Sequence, residues 1–168
     1  MATIIRGSDN FDTSTAGKVL QVKRFEPGAI RSSVANFGSI GQAPTTSNTT
    51  SIYTANFTPV SSTSKIIGIY QSCEDGQGTN GWTIHSCFVG STLLGSSFRY
   101  LLRVDEEPYT QTFTFEYDHN TSSQISFNLR YGSTAGIFIV LNRSNTKTQG
   151  TGVPNSHATS LILMEVEQ

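Results

Sequence analysis

Eight residues, Gln124-Ile-Ser-Phe-Asn-Leu-Arg-Tyr131, alternate strictly between polar and apolar side chains. Because successive side chains of a strand point to opposite faces, this run predicts a half-buried β-strand. Comparable runs, separated by Gly, Asn, Ser, Thr, Asp and Pro, occupy residues 65–71, 82–89, 98–104, 112–117, 137–141 and 160–166. No segment keeps an apolar stripe at helical spacing. The sequence therefore predicts an all-β protein.

The first third of the chain adds three predicted strands, at residues 18–25, 31–37 and 51–58. Residues 1–17 are mostly polar, which predicts an N-terminal arm that docks on a partner through Ile4, Ile5 and Phe11. Residues 18–168 then form one domain. Nine or ten short strands in a domain of this size predict an antiparallel, jelly-roll-like sandwich of two sheets.

Composition narrows the function classes. The chain has 168 residues, of which 14% are charged, and a net charge of -1. Scattered Lys and Arg give no long-range attraction for phosphates, so we expect no nucleic-acid partner. No apolar run has the length of a signal peptide or a membrane span. We therefore expect that the protein is synthesised in a cytoplasm and is not inserted into a membrane. Cys73 and Cys87 are then expected as buried free thiols, although a disulfide stays open.

Three predicted strands are apolar at nearly every position, at residues 66–70, 137–141 and 161–164. A strand of this kind has no face suited to water. The outer face of a two-layer sandwich is exposed to solvent unless something covers it. We therefore predict that other copies of the chain cover these strands.

Few residues suggest chemistry. Cys73, His85, Cys87, His119 and His157 lack the paired spacing of a zinc site, so we expect no metal, and His85 and Cys87 are interpreted as facing the core. The acidic residues at 74–75 and 105–107 lie in predicted turns, and no Gly-x-Ser-x-Gly elbow is present. We expect no catalytic residue and no cofactor.

The function class that remains is the recognition of another molecule. The long connections at residues 74–81, 118–123 (interpreted as a hairpin tip) and 142–159 are uncharged or weakly charged and rich in Asn, Ser, Thr and Gly, which suits a glycan surface. The candidate ligand-binding residues are Trp82, Asn80, His119, Asn120, Lys147 and His157. The competing interpretation is that Trp82, Tyr100, Tyr117 and Tyr131 are core or interface residues.

Several segments carry a resemblance. They are Gly17-Lys-Val-Leu-Gln-Val22, Phe57-Thr-Pro-Val-Ser-Ser-Thr-Ser-Lys-Ile66, Phe88-Val-Gly-Ser91, Tyr131-Gly132, Asn142-Arg-Ser144 and Ser160-Leu-Ile-Leu-Met-Glu-Val166. In this order they resemble small virion proteins of tailed phages, especially marine and cyanobacterial ones, of the tail-fibre or receptor-binding type. Such domains are similar to the trimeric jelly rolls of complement globular heads and tumour necrosis factor. The resemblance implies a homotrimer without enzymatic activity or cofactor.

The leading hypothesis is thus a trimeric virion protein that contacts other virion proteins and a host-surface glycan or protein. The absence of a fibre shaft leaves open a capsid decoration protein, or head-fibre knob, that stabilises the shell. A glycan depolymerase using Glu106 or Glu107 is the third hypothesis.

Overall fold

The computed structural model describes residues 17–28, 30–33, 35–39, 41–77, 81–101, 109–134, 138–141 and 159–168. These residues form strands in two sheets, without a helix. In chain order the strands are β1 (Val19–Phe25), β2 (Ile30–Ser33), β3 (Ala35–Asn36), β4 (Thr50–Phe57), β5 (Lys65–Gln77), β6 (Gly81–Val89), β7 (Thr92–Leu101), β8 (Tyr109–Asp118), β9 (Ile125–Ser133), β10 (Phe138–Leu141) and β11 (Ser160–Val166).

Eight longer strands build the sandwich. Sheet A has the order β1-β11-β5-β8, and β10 followed by β2 extends it beside the end of β5. Sheet B has the order β4-β9-β6-β7, with β3 parallel to the end of β9. All other pairs are antiparallel. Successive strands cross repeatedly between the sheets, as in a jelly roll, so the predicted fold class is confirmed.

The predicted strand at residues 160–166 is β11 with the same bounds, and most others shift by one or two residues. Four local predictions are wrong. The strand predicted to begin at Phe98 begins six residues earlier, because β7 starts at Thr92. The segment 31–37 divides into β2 in sheet A and β3 in sheet B. Residues 74–77 do not belong to a loop, because they extend β5 and pair with β10. Residues 119–124 do not close a hairpin, because they join β8 of sheet A to β9 of sheet B.

The two sheets bury their facing sides. Apolar residues at alternate positions of the strands meet between the sheets, which removes them from water and supplies most of the stabilisation. This core consists of Ala55, Phe57, Ile66, Tyr70, Cys87, Phe115, Ile125, Phe127, Leu129, Tyr131, Leu161 and Leu163. Rings from opposite sheets stack across it, as Phe115 does on Phe127 with centroids 6.0 Å apart.

The outer faces of the two sheets differ in how far they are exposed to solvent. In sheet B, the central strand β6 is buried on both sides, and its outward residues Ile84 and Phe88 are each 1% exposed. Residues 37–39 and 41–49 lie over this face, because Phe37 and the Asn48 carbonyl approach Gly132 beside Ile84. The outer face of sheet A has no such cover within the described part of the chain, and Ile69 is 40% exposed there.

The strand directions sort the connections between two ends of the sandwich. Residues 58–64, 90–91 and 119–124 lie at the same end as Gly17 and Gln168, which we call the terminal end. The ends of β5, β7 and β9 and the starts of β6, β8 and β11 lie at the opposite end. This division decides which candidate residues can meet one another.

Candidate functional site

The most concentrated polar cluster surrounds Glu165 at the terminal end. Glu165 is fully buried and points inward from β11. The backbone N–H groups of Val60 and Ser61 donate to its carboxylate, each at 2.9 Å. The Ser64 hydroxyl and the Gln21 amide donate to it at 2.6 Å. Burial raises the pKa of Glu165, but the hydrogen bonds from Ser64, Val60, Gln21 and Ser61 outweigh it and lower the pKa to about 2.

This cluster joins three of the segments that carry the virion-protein resemblance, and Gln21 represents the segment at residues 17–22. Residues 57–66 form the turn, and β11 supplies the carboxylate that the turn encloses. The contacts of Val60, Ser61 and Ser64 hold a connection against a strand more than a hundred residues away in sequence, and Gln21 joins β1 to the same carboxylate. The segment at residues 57–66 therefore has a structural role, because its contacts with Glu165 close the terminal end.

Ser64, His119 and Glu165 are the residue types of a nucleophilic triad, but their order is wrong for one. The Ser64 hydroxyl donates to Glu165, while His119 Nε2 lies 3.1 Å from the same Ser64 oxygen. His119 Nδ1 faces the Thr121 carbonyl at 2.9 Å and not a carboxylate. In a triad the imidazole stands between the nucleophile and the acid. Ser64 is also 1% exposed, so a substrate has no access to it.

A second polar group lies inside the sandwich, where β5, β6 and β9 face one another. The Tyr70 hydroxyl contacts His85 Nδ1 at 2.9 Å and makes a short hydrogen bond with the Tyr131 hydroxyl. His85 stacks on Tyr131 with ring centroids 4.0 Å apart. His85 and Cys87 thus face the core, as the sequence predicts. Within the described ranges, no group of three His, Cys, Asp or Glu residues is placed to hold a metal.

Both cysteines are buried free thiols. Burial raises the pKa of Cys87 to about 12, from an ordinary value of 9.0. Because the thiolate is the reactive form, Cys87 in the folded protein is expected to react roughly a thousandfold more slowly than an exposed cysteine at pH 8. A time course with Ellman's reagent measures this rate. The same protein in guanidinium serves as control and should release two equivalents quickly. Fast labelling of folded Cys87 would contradict the buried assignment.

The predicted ligand-binding residues do not converge. Trp82 begins β6 at the opposite end, and its backbone exchanges hydrogen bonds with Thr134. His119 and Asn120 lie at the terminal end, where His119 stacks on Tyr117. About eight residues of β8 separate the two places, a length of roughly 27 Å. Asn80, Lys147 and His157, and the arm residues Ile4, Ile5 and Phe11, lie outside the described residues. Their roles stay predictions.

The outer face of sheet A carries a continuous apolar patch, which we call the A-face patch. Cross-strand neighbours on this face are Val22 with Met164 on β1 and β11, Ile162 with Ile69 and Met164 with Ile67 on β11 and β5. Val22 is 56% exposed, and Ile67, Ile162 and Met164 are half-buried. Charged residues edge the patch, including Lys65, which forms a salt bridge of 2.9 Å with Glu116.

A cleft of about 400 Å³ opens on the outer face of sheet B, beside strand β7. It lies between residues 41–44 and the β7 residues Leu93, Ser96 and Phe98. Phe98 is 43% exposed, and its ring meets buried Phe37 edge-on at 5.8 Å. From the sequence, Phe98 is predicted only to lie in a strand. The available signal was its spacing of two from Tyr100, which places both rings on one face.

Comparisons with known proteins give a fold and no family. No family model matches the chain, and no curated protein matches it. Dimeric latent PorU from Porphyromonas gingivalis is similar with a TM-score of 0.51 and 11% identity, over 91% of this chain and 13% of PorU. The VP2 subviral particle of infectious bursal disease virus has a TM-score of 0.43 and 13% identity, over 87% and 37% of the two chains.

A carbohydrate-binding module, the C-terminal CBM6 of the laminarinase LamC from Zobellia galactanivorans, has a TM-score of 0.35 and 10% identity, over 85% of this chain and 98% of the module. At these identities the likeness concerns the fold alone. The chain spans only a small part of PorU, the first of these proteins. Among the described residues, no helix has the length and apolar character needed to cross a membrane.

Proposed function

We propose that this chain is a non-enzymatic structural protein of a phage particle, a homotrimeric tail-fibre or fibre-tip domain that contacts the host surface. The observation that carries the proposal is the A-face patch. Within the described residues, nothing of the same chain covers it, whereas residues 37–39 and 41–49 lie over the outer face of sheet B.

The A-face patch has the composition of an interface core. Aliphatic side chains from three neighbouring strands meet without a charged residue among Val22, Ile67, Ile69, Ile162 and Met164. Contiguous apolar surfaces rimmed by polar residues mark association sites. Arg24, Lys65 and Glu116 supply such a rim on the same face. A second copy is the partner we propose, because the resemblance of the chain to trimeric virion domains supplies both the partner and the stoichiometry.

The measurement that tests assembly is the native mass in solution. A trimer should weigh three times the 18.2 kDa of one chain. Ile69→Lys places a charge within the A-face patch and is expected to shift the protein to monomer at micromolar concentration. Val60→Lys is the matched control, because Val60 is 66% exposed at the terminal end, outside the patch. A monomeric parent protein, or a trimer that Ile69→Lys leaves intact, would refute the assembly.

Adsorption tests the recognition role. Purified protein is expected to bind susceptible cells and to compete with phage adsorption. Labelled antibody on intact particles should mark the tail. If the antibody labels the head and the protein does not compete with adsorption, capsid decoration replaces the proposed recognition role.

A further inference from the structure

We infer that the outer face of β7 is a binding site for a neutral saccharide, seated in the cleft between Phe98 and residues 41–44. This inference deepens the proposed recognition role and rests on it. It places the saccharide on the side of the sandwich, away from both His119 and the terminal end.

Aromatic rings are arranged in a row on the outer face of β7. Phe98 and Tyr100 project from the same face of β7 and are 43% and 45% exposed. Trp82 is the cross-strand neighbour of Tyr100, and their rings meet edge-on at 5.3 Å. Outward side chains on one strand repeat at about 6.8 Å, so the rings form a short row. Exposing two large aromatic rings side by side costs hydrophobic free energy unless a ligand covers them.

The row of rings is held in place by buried residues and by the sheet. Phe37 is 2% exposed and supports the Phe98 ring from below. Pro44 is buried in the wall of the cleft, and β7 is hydrogen-bonded to β6 along its length. Rigid aromatic surfaces lose little entropy when they bind, which favours a preformed site.

The chemistry of the cleft lining selects the class of ligand. The residues that line the cleft are Gly41, Gln42, Ala43, Pro44, Leu93, Ser96 and Phe98, and none of them is charged. The Gln42 amide and the Ser96 hydroxyl have no hydrogen-bond partner among the described residues. A sugar ring offers both an apolar C–H face for an aromatic ring and hydroxyl groups for amides and hydroxyls. Within the described residues, no charged side chain lines the cleft for an anionic ligand, and a lipid chain requires a more enclosed pocket.

The test uses the full-length protein and an array of neutral bacterial polysaccharides and oligosaccharides, with dextran sulfate as the anionic comparison. Trp82 is the only tryptophan, so its fluorescence reports binding beside Tyr100. We expect saturable binding of a neutral glycan and none of dextran sulfate. Phe98→Ala and Tyr100→Ala should each weaken binding about tenfold or more. Phe98→Tyr and Tyr100→Phe keep the rings and should bind within about threefold of the parent.

Three outcomes overturn the inference: no neutral glycan binds, binding survives both alanine variants, or the conservative variants lose as much as the alanine variants. Native mass is measured on every variant, so that a loss of assembly is not mistaken for a loss of binding. A trimer that competes with phage adsorption yet binds no saccharide refutes this site alone. A monomer that does not compete refutes the proposed function itself.

Discussion

Replacing Glu165 with glutamine is expected to lower the free energy of unfolding by about 3 kcal/mol at pH 7. The pKa of Glu165 falls from an ordinary 4.5 to about 2, and each unit of difference corresponds to about 1.4 kcal/mol. An amide cannot replace the carboxylate, because Val60 N–H donates to both carboxylate oxygens and would face the NH₂ group of the amide in either orientation. Urea titration of the variant and the parent protein measures the difference.

The same carboxylate gives the parent protein a defined acid sensitivity. Because the folded state has the lower pKa, it holds its proton less tightly than the unfolded state. The stabilisation is therefore complete above about pH 4.5 and is lost as the pH falls towards about 2. Unfolding free energies of the parent should decline across this window. Those of Glu165→Gln should decline by about 3 kcal/mol less.

Glu116→Gln is the matched control, since it makes the same chemical change on the exposed face of sheet A. The Glu116 side chain is 64% exposed and pairs with Lys65 at 2.9 Å. Exposed pairs of this kind contribute less than about 1 kcal/mol. Equal losses in both variants would show that Glu165 has no special role in closing the terminal end.

The sequence predicted the architecture because the alternation of side chains records which face of each strand is buried. The sequence did not predict the correct start of β7, where a glycine has a packing role. Gly95, in a Gly-Ser-Ser segment typical of a turn, lies inside β7. A Cβ atom there would lie 3.0 Å from the Phe113 ring and 3.2 Å from the Thr114 carbonyl. Glycine permits β7 to approach β8 this closely, and composition alone does not separate that use from a turn.

The candidate sites were harder to predict, because loop composition does not reveal which end of a sandwich a loop occupies. Trp82 and His119 have similar polar neighbours in sequence, yet strand direction places them at opposite ends. Glu165 is visible as the one charged residue in an apolar strand. Its partners Val60 and Ser64 are more than a hundred residues away, so only the folded chain identifies them.

The second large effect is expected at Gly68, in the middle of β5. Gly68 is the cross-strand neighbour of Phe115, and a Cβ atom at Gly68 would overlap the Cζ, Cε1 and Cε2 atoms of that ring. The ring cannot move aside easily, because Phe115 is 5% exposed and stacks on Phe127 of the other sheet. Gly68→Ala is therefore expected to cost about 2 kcal/mol, the usual range for overpacking a core.

The reason for this cost can be isolated with a double-mutant cycle. Phe115→Ala alone should cost about 4 kcal/mol, because it removes a buried ring. In the Phe115→Ala background the space above Gly68 is empty, so adding Gly68→Ala should cost nothing and can stabilise the strand by about 0.5 kcal/mol. Gly28→Ala is the matched control, because no atom lies within 4 Å of its Cβ position. If the losses of the two substitutions are additive, the cost of Gly68→Ala does not come from overlap with the Phe115 ring, which would contradict the packing described for sheet A.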